Sequence, residues 1–244
     1  MGSKEIVICE NAQEIAQRAA ERFARLAHKA ISRSGCFAVA LSGGNTPRAV
    51  NANLADHYRE ALDWPRIFLF WGDERPVPPD HKESNFRMAR ESLIDHVAIP
   101  DSNIFRILSE LPPAEAARRY ETELRRFFRT DKEKFPSFDL IFLGMGDDGH
   151  TASLFPGTPA LAEQTRWVVS NPVEKLNTER ITLTAPVINH AREVIVLVSG
   201  AAKAPALKQV LKGELQPKVY PSQLIRPRGR LVWLVDEAAA SQLN

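Results

Sequence analysis

The chain has 244 residues, 44% of them hydrophobic and 25% charged, with 32 Lys and Arg against 30 Asp and Glu and a formal net charge of +2. So close a balance, with the basic residues dispersed rather than blocked together, argues against a nucleic-acid partner or an anionic membrane surface, and the longest apolar runs are of strand length, far short of a membrane span. Two cysteines, Cys9 and Cys36, sit at neither metal-ligand nor redox spacing, and the first residues lack a basic segment followed by an apolar one, so a reduced cytoplasmic protein without a leader peptide is expected.

Asn11 reads as a helix cap with Glu14 three residues later. Ile15, Ala19, Phe23 and Leu26 then recur at helical spacing until Gly35 stops the helix. Residues 36–41 form a short apolar run, read as a buried strand. Pro47 suits the first position of a helix that continues to about Leu62. Residues 67–71 read as a second buried strand, followed by a polar loop in which Pro76, Pro78 and Pro79 exclude regular structure. Helices are expected over 85–97 and 114–128, and a third buried strand over 138–143. Strands at 167–170, 181–184, 194–198 and 231–235 follow, separated by helices at 186–191 and 201–211. This alternation, with no linker between segments, predicts one α/β domain over residues 1–244, a mostly parallel, Rossmann-like sheet with helices on both faces.

Three strand-to-helix loops carry chemistry. The first, Ser42-Gly43-Gly44-Asn45-Thr46-Pro47, follows a buried strand and opens a helix. Its glycines let successive N–H groups face one point, and the helix N-terminus adds partial positive charge, so a phosphate would be well placed. An ordinary turn with Thr46 as the cap is the alternative. The loop matches neither the dinucleotide pattern nor the nucleotide pattern ending in Gly-Lys-Ser/Thr. The second, Trp71-Gly72-Asp73-Glu74-Arg75, offers Arg75 as a bidentate phosphate grip and Asp73 as a proton acceptor or sugar-hydroxyl partner. Its alternative is a solvated surface ion pair. The third is Gly144-Met145-Gly146-Asp147-Asp148-Gly149-His150, where Asp148 supports or orients the imidazole of His150. A loop histidine satisfied by a backbone carbonyl is the alternative, and the two glycines close by count against it. Metal ligation is weaker still, because no second histidine lies at ligand spacing. Arg180, just before the strand at 181–184, and Lys203, at a helix start after the strand at 194–198, add two cations; an exposed helix lysine is the alternative for Lys203. In a parallel sheet such loops converge on one edge. A phosphate cradle, cations and an Asp/His pair together describe a sugar-phosphate site.

With these residues assembled, the chain resembles the 6-phosphogluconolactonase family, within the wider group that includes glucosamine-6-phosphate deaminase. The resemblance spans roughly Ala38 to Val235. It rests on the three loops together with Ser84-Asn85, Arg180-Ile181-Thr182-Leu183-Thr184 and the run from Ser199 to Lys203. It implies a fold like that of the deaminase and of ribose-5-phosphate isomerase. It also implies hydrolysis of a sugar-phosphate lactone, 6-phospho-D-glucono-1,5-lactone, as the second step of the oxidative pentose phosphate pathway, with no metal or organic cofactor. His150 is then the base, and Arg75 and Lys203 are substrate contacts. In the deaminase, the matching histidine is followed five residues later by a glutamate that works with it in opening the sugar ring. Here that position is Phe155, which weighs against deamination. Asp73 falls where the deaminase keeps its proton-abstracting carboxylate. A deaminase-like isomerase and a non-catalytic sugar-phosphate-binding module are the competing readings.

Overall fold

The computed structural model describes residues 2–130 and 134–243. In chain order the elements are β1 (Lys4–Cys9), α1 (Ala12–Ser34), β2 (Phe37–Leu41), α2 (Asn45–His57), β3 (Ile67–Trp71), β4 (Asp73–Glu74), α3 (Asn85–Ser92), α4 (Pro113–Phe128), β5 (Leu140–Gly144), β6 (Val168–Val173), β7 (Thr178–Leu183), α5 (Ala185–Asn189), β8 (Glu193–Val198), α6 (Ala204–Lys212), β9 (Arg230–Asp236) and α7 (Glu237–Ala240). Six strands form one sheet in the order β1-β9-β8-β5-β2-β3, and every neighbouring pair in it is parallel. Strands β2 and β8 are buried along their whole length, the mark of a sheet covered on both faces. Arg22 of α1 pairs with Glu5 of β1 and Glu193 of β8, and Val210 and Leu211 of α6 pack against the core. The α/β architecture is as expected.

Local signals act where they were read. Asn11 accepts from the N–H groups of Gln13 and Glu14, and Gly35 closes α1 at φ 80°, in the left-handed region that favours glycine. Several boundaries and assignments differ. Helix α2 begins at Asn45, so Pro47 is its third residue, and it ends at His57. The helix begun at Asn85 stops at Ser92 and gives way to a separate 3-10 turn over Ile94–His96. Strand β1 is an additional edge strand whose half-exposed alternation gives only a weak period-2 signal.

The larger correction concerns β6 and β7, which do not join the parallel sheet. They pair antiparallel with each other and with the short β4. Their hydrophobic runs look like those of the main sheet, and periodicity reports burial rather than partner. Gly72 joins the two sheets. Its N–H donates to the Leu41 carbonyl of β2 and its carbonyl accepts from the Leu183 N–H of β7. Helix α4 packs on this smaller sheet, where Glu121 accepts from the N–H groups of Trp167 and Val168.

Candidate active site

The strand order brings the carboxyl ends of β2 and β5 side by side at the point where the chain reverses its progress across the sheet. From β2 the path runs outward to β3, whereas from β5 it runs the other way to β8 and β9. Such a switch point leaves a crevice between the departing loops. A cavity of about 400 Å³ opens there. The loop after β2 contributes Ser42 and Gly43, β4 and its continuation contribute Asp73 and Arg75, and the loop after β5 contributes Asp148 and His150. Arg180 enters from β7, and Lys203 from the turn after β8. Gly44, Asn45 and Thr46 are not among the lining residues. Gly44, at φ 104°, caps α2 in place of Thr46, and no side chain makes a capping hydrogen bond to that helix N-terminus.

The β5 loop is tightly folded. The Gly146 N–H donates to the His150 carbonyl (2.8 Å), and the Gly149 N–H to the Gly146 carbonyl (3.1 Å), with Gly149 at φ 77°. Asp148 Oδ1 accepts from the His150 N–H at 3.0 Å and lies 2.6 Å from Nδ1 of the same ring. The other carboxylate oxygen pairs with the Lys175 ammonium. Burial alone would raise the Asp148 pKa. The hydrogen bonds from the His150 ring, Lys175 and the His150 N–H outweigh it and hold the carboxyl well below the usual carboxylate range. The tautomer that carries its proton on Nδ1 is the one that donates to Asp148, and it leaves Nε2 as the acceptor nitrogen. Phe155 stacks on the imidazole at 4.1 Å between centroids and 25° between planes.

Downstream the loop is anchored to the smaller sheet. Ser153 Oγ donates to Asp73 Oδ2 at 2.7 Å, the Ser153 N–H to Thr182 Oγ1, and Asn171 Nδ2 to the Ser153 carbonyl. Asp73 is buried. Beside it, Glu74 accepts from the N–H groups of Arg75, Asn85 and Phe86 and from the Ser84 hydroxyl, which ties the Asp73–Arg75 segment to the start of α3. Burial pushes the Glu74 carboxyl up from its ordinary value, against the pull of those backbone donors.

The cations converge. Burial, and then the charge of Arg75, depress the Arg180 pKa. Two guanidinium groups that crowd one another in this way are relieved by a bound anion. Lys203 is half-buried, on a loop held by Asp236, whose carboxylate accepts from Ser199 Oγ (2.5 Å) and the Gly200 N–H (3.0 Å). Among the described residues, no group of three or more His, Cys, Asp or Glu is arranged to hold a metal ion, and no helix is long and apolar enough to cross a membrane.

Four contributors escaped the sequence reading. Lys175 sits on a 3-10 turn between β6 and β7 and carries no local signature. Ser153 looks like an ordinary loop serine. Glu74 and Asp236 look like solvated acids, yet each is buried and organises a loop. Only the run of hydrophobics before Asp236 hinted that it ends a buried strand.

Comparison with known proteins bears on this arrangement. A family model described as glucosamine-6-phosphate isomerases/6-phosphogluconolactonase matches residues 10–233. The chain is 47% identical over 217 residues to the 6-phosphogluconolactonase of Synechocystis sp., covering 88% of each chain. It is 45% identical over 216 residues to that of Nostoc sp., again covering 88% of each. Among solved structures, the 6-phosphogluconolactonase of Trypanosoma brucei superposes with a TM-score of 0.90 at 29% identity over the whole of both chains. A monomeric glucosamine-6-phosphate deaminase superposes with a TM-score of 0.81 at 22% identity, covering 98% of this chain and 99% of that one, which is a likeness of fold.

Proposed function

The chain belongs to the glucosamine-6-phosphate isomerase/6-phosphogluconolactonase family, and from that premise we propose that it hydrolyses 6-phospho-D-glucono-1,5-lactone to 6-phospho-D-gluconate in the oxidative pentose phosphate pathway. The supporting observation is the His150–Asp148 pair, 2.6 Å apart, in one cavity with Arg75, Arg180 and Lys203. In this reading the 6-phosphate is a handle. It is held by the three cations, Ser42, Gly43 and the start of α2, which bring carbon 1 to the imidazole. Asn45 and Thr46 belong to the same helix start. His150 Nε2 takes a proton from water as the water oxygen bonds to carbon 1. The carbonyl becomes a tetrahedral oxyanion. Its collapse breaks the bond to the ring oxygen, which receives the proton from His150. Asp148 stabilises the transient imidazolium. Asp73, tied up by Ser153, serves as a hydroxyl acceptor rather than as a base. Two unpaired cysteines suit a reducing, cytoplasmic setting.

Deamination of an amino sugar phosphate is the second reading, and Phe155 weighs against it. A phenyl ring stacked on His150 fills the place from which a glutamate would assist ring opening.

The test is a background-corrected assay of the lactone with and without its phosphate, because the ester also hydrolyses unaided. His150→Ala is expected to lower kcat by about 10²–10⁴-fold. Arg75→Ala is expected to raise KM with little change in kcat, and to matter only for the phosphorylated lactone. A His150→Ala enzyme with normal turnover, or ammonium release from glucosamine 6-phosphate by the wild type, defeats the proposal.

A further inference from the structure

His150 is held in a closed ring of four contacts, of which only part belongs to its own loop. Asp148 Oδ1 faces Nδ1 at the edge of the imidazole, and Phe155 stacks on a face of the ring. The fourth member comes from elsewhere. Lys175, on the 3-10 turn Glu174–Leu176 between β6 and β7, pairs with Asp148 Oδ2 and sets its ammonium 5.0 Å from the centre of the Phe155 ring. The turn is fixed by Asn177 in the left-handed region at φ 46° and by the Asn177 N–H donating to the Glu174 carbonyl. A lysine thus reaches from the antiparallel sheet into the loop of the parallel one.

We propose that Lys175 is a positioning residue for His150, acting through Asp148: it holds the carboxylate in the rotamer that receives Nδ1–H and offsets enough of the carboxylate's charge to keep His150 an unprotonated base at neutral pH. This inference rests on the proposed role of His150.

The reasoning is electrostatic. A carboxylate 2.6 Å from an imidazole does two things. It selects the tautomer with the proton on Nδ1, which a general base needs. It also stabilises the imidazolium, which takes the base away. A second cation on the same carboxylate keeps the first effect and weakens the second. It occupies the oxygen that His150 does not use, so Oδ1 cannot rotate away from the ring, and its positive charge opposes the gain of another. The other charged groups of the cavity near His150 are Asp147 on its own loop, Asp73 and Arg75 from the β4 segment, Arg180 from β7 and Lys203 from the turn after β8. The three cations among them face the proposed phosphate. Among the described cations, Lys175 is the one bonded to the partner of the histidine. Its side chain is half exposed, at 51%, so an ion pair of this kind adds little to stability. Its effect is expected in the titration of the site.

Lys175→Met keeps an apolar stem of similar length and removes the charge. The acid limb of the kcat profile is expected to move upward by about one pH unit. Turnover at pH 7 falls several-fold, KM stays within about twofold, and Lys175→Arg restores the wild-type limb. In parallel, the ring nitrogens of His150 are followed by ¹⁵N NMR in free wild type and in Lys175→Met. The variant is expected to gain its ring proton at the higher pH and to lose the clean preference for Nδ1–H. An NMR titration identical in the two proteins overturns the inference. So does a loss that falls wholly on KM with an unmoved acid limb, which makes Lys175 a substrate contact. The NMR reading needs no turnover, so it judges Lys175 even if the wild type proves inactive on the lactone, which would count against the proposed reaction instead.

Discussion

Gly146 shows how little room the site leaves at the scale of one residue. A Cβ there would fall inside the van der Waals envelope of the His150 ring, at Nδ1 and Cε1. The backbone therefore packs edge-on against the imidazole, which only glycine permits. Gly43 is constrained in the same way, by the Asn85 side chain. The Asp148 carboxylate has a consequence for stability. Its pKa is depressed in the folded protein, so its contribution is fully present above the unfolded value of about 3.9 and is lost as the pH falls from there through the folded value. Discounted for its partial exposure, the wild type should exceed Asp148→Asn by about 1 kcal/mol at pH 7. Urea unfolding at a series of pH values should show that gap closing from about pH 4 downward. A gap independent of pH contradicts this account. The Asp148/His150 pair was legible in the sequence because both residues lie on one short glycine-rich turn. Lys175 was not legible, because it lies 27 positions away and meets Asp148 only across two sheets.

At the scale of elements, the site depends on two buried acids that bind no substrate in this reading. Glu74 gathers two backbone N–H groups and one hydroxyl at the start of α3, and the N–H of Arg75 beside it. Asp236, at the end of β9, caps α7 through the Ala239 N–H and steadies the loop that leads to Lys203. Removing a buried acceptor strands its donors, so Glu74→Ala should cost at least about 2 kcal/mol in chemical unfolding. It should also raise KM for the phosphorylated lactone, because Arg75 loses its anchor. An unchanged KM in the folded variant would show that Arg75 is held by other means. The Ser84-Asn85 motif pointed at this helix start. No local signal marks Glu74 as the acid it receives, because Asp73, Glu74 and Arg75 look alike as a charged run.

For the whole molecule, the core and the site are separable. Phe70 of β3 is fully buried, stacked on Phe105 at 4.7 Å and edge-on to Phe127 and Phe138. Phe70→Ala should cost about 3–5 kcal/mol while leaving KM of the surviving folded enzyme close to that of the wild type. Lys203→Ala should do the reverse, raising KM with the unfolding midpoint unchanged. If Phe70→Ala moves KM strongly, the cavity is coupled to this aromatic cluster. By itself the sequence determined the buried strands, the capped α1, the glycine-rich loops and the Asp148/His150 pair that one of them carries. Each of those is a local property, written within a few residues as periodicity, caps or turn chemistry. Tertiary structure alone decided that β6 and β7 form a separate antiparallel sheet, that Ser153 holds Asp73 from 80 residues away, and that Lys175 reaches Asp148. A hydrophobic run states that a strand will be buried without stating against what. The pairing of distant side chains depends on the strand order that closes the crevice between β2 and β5.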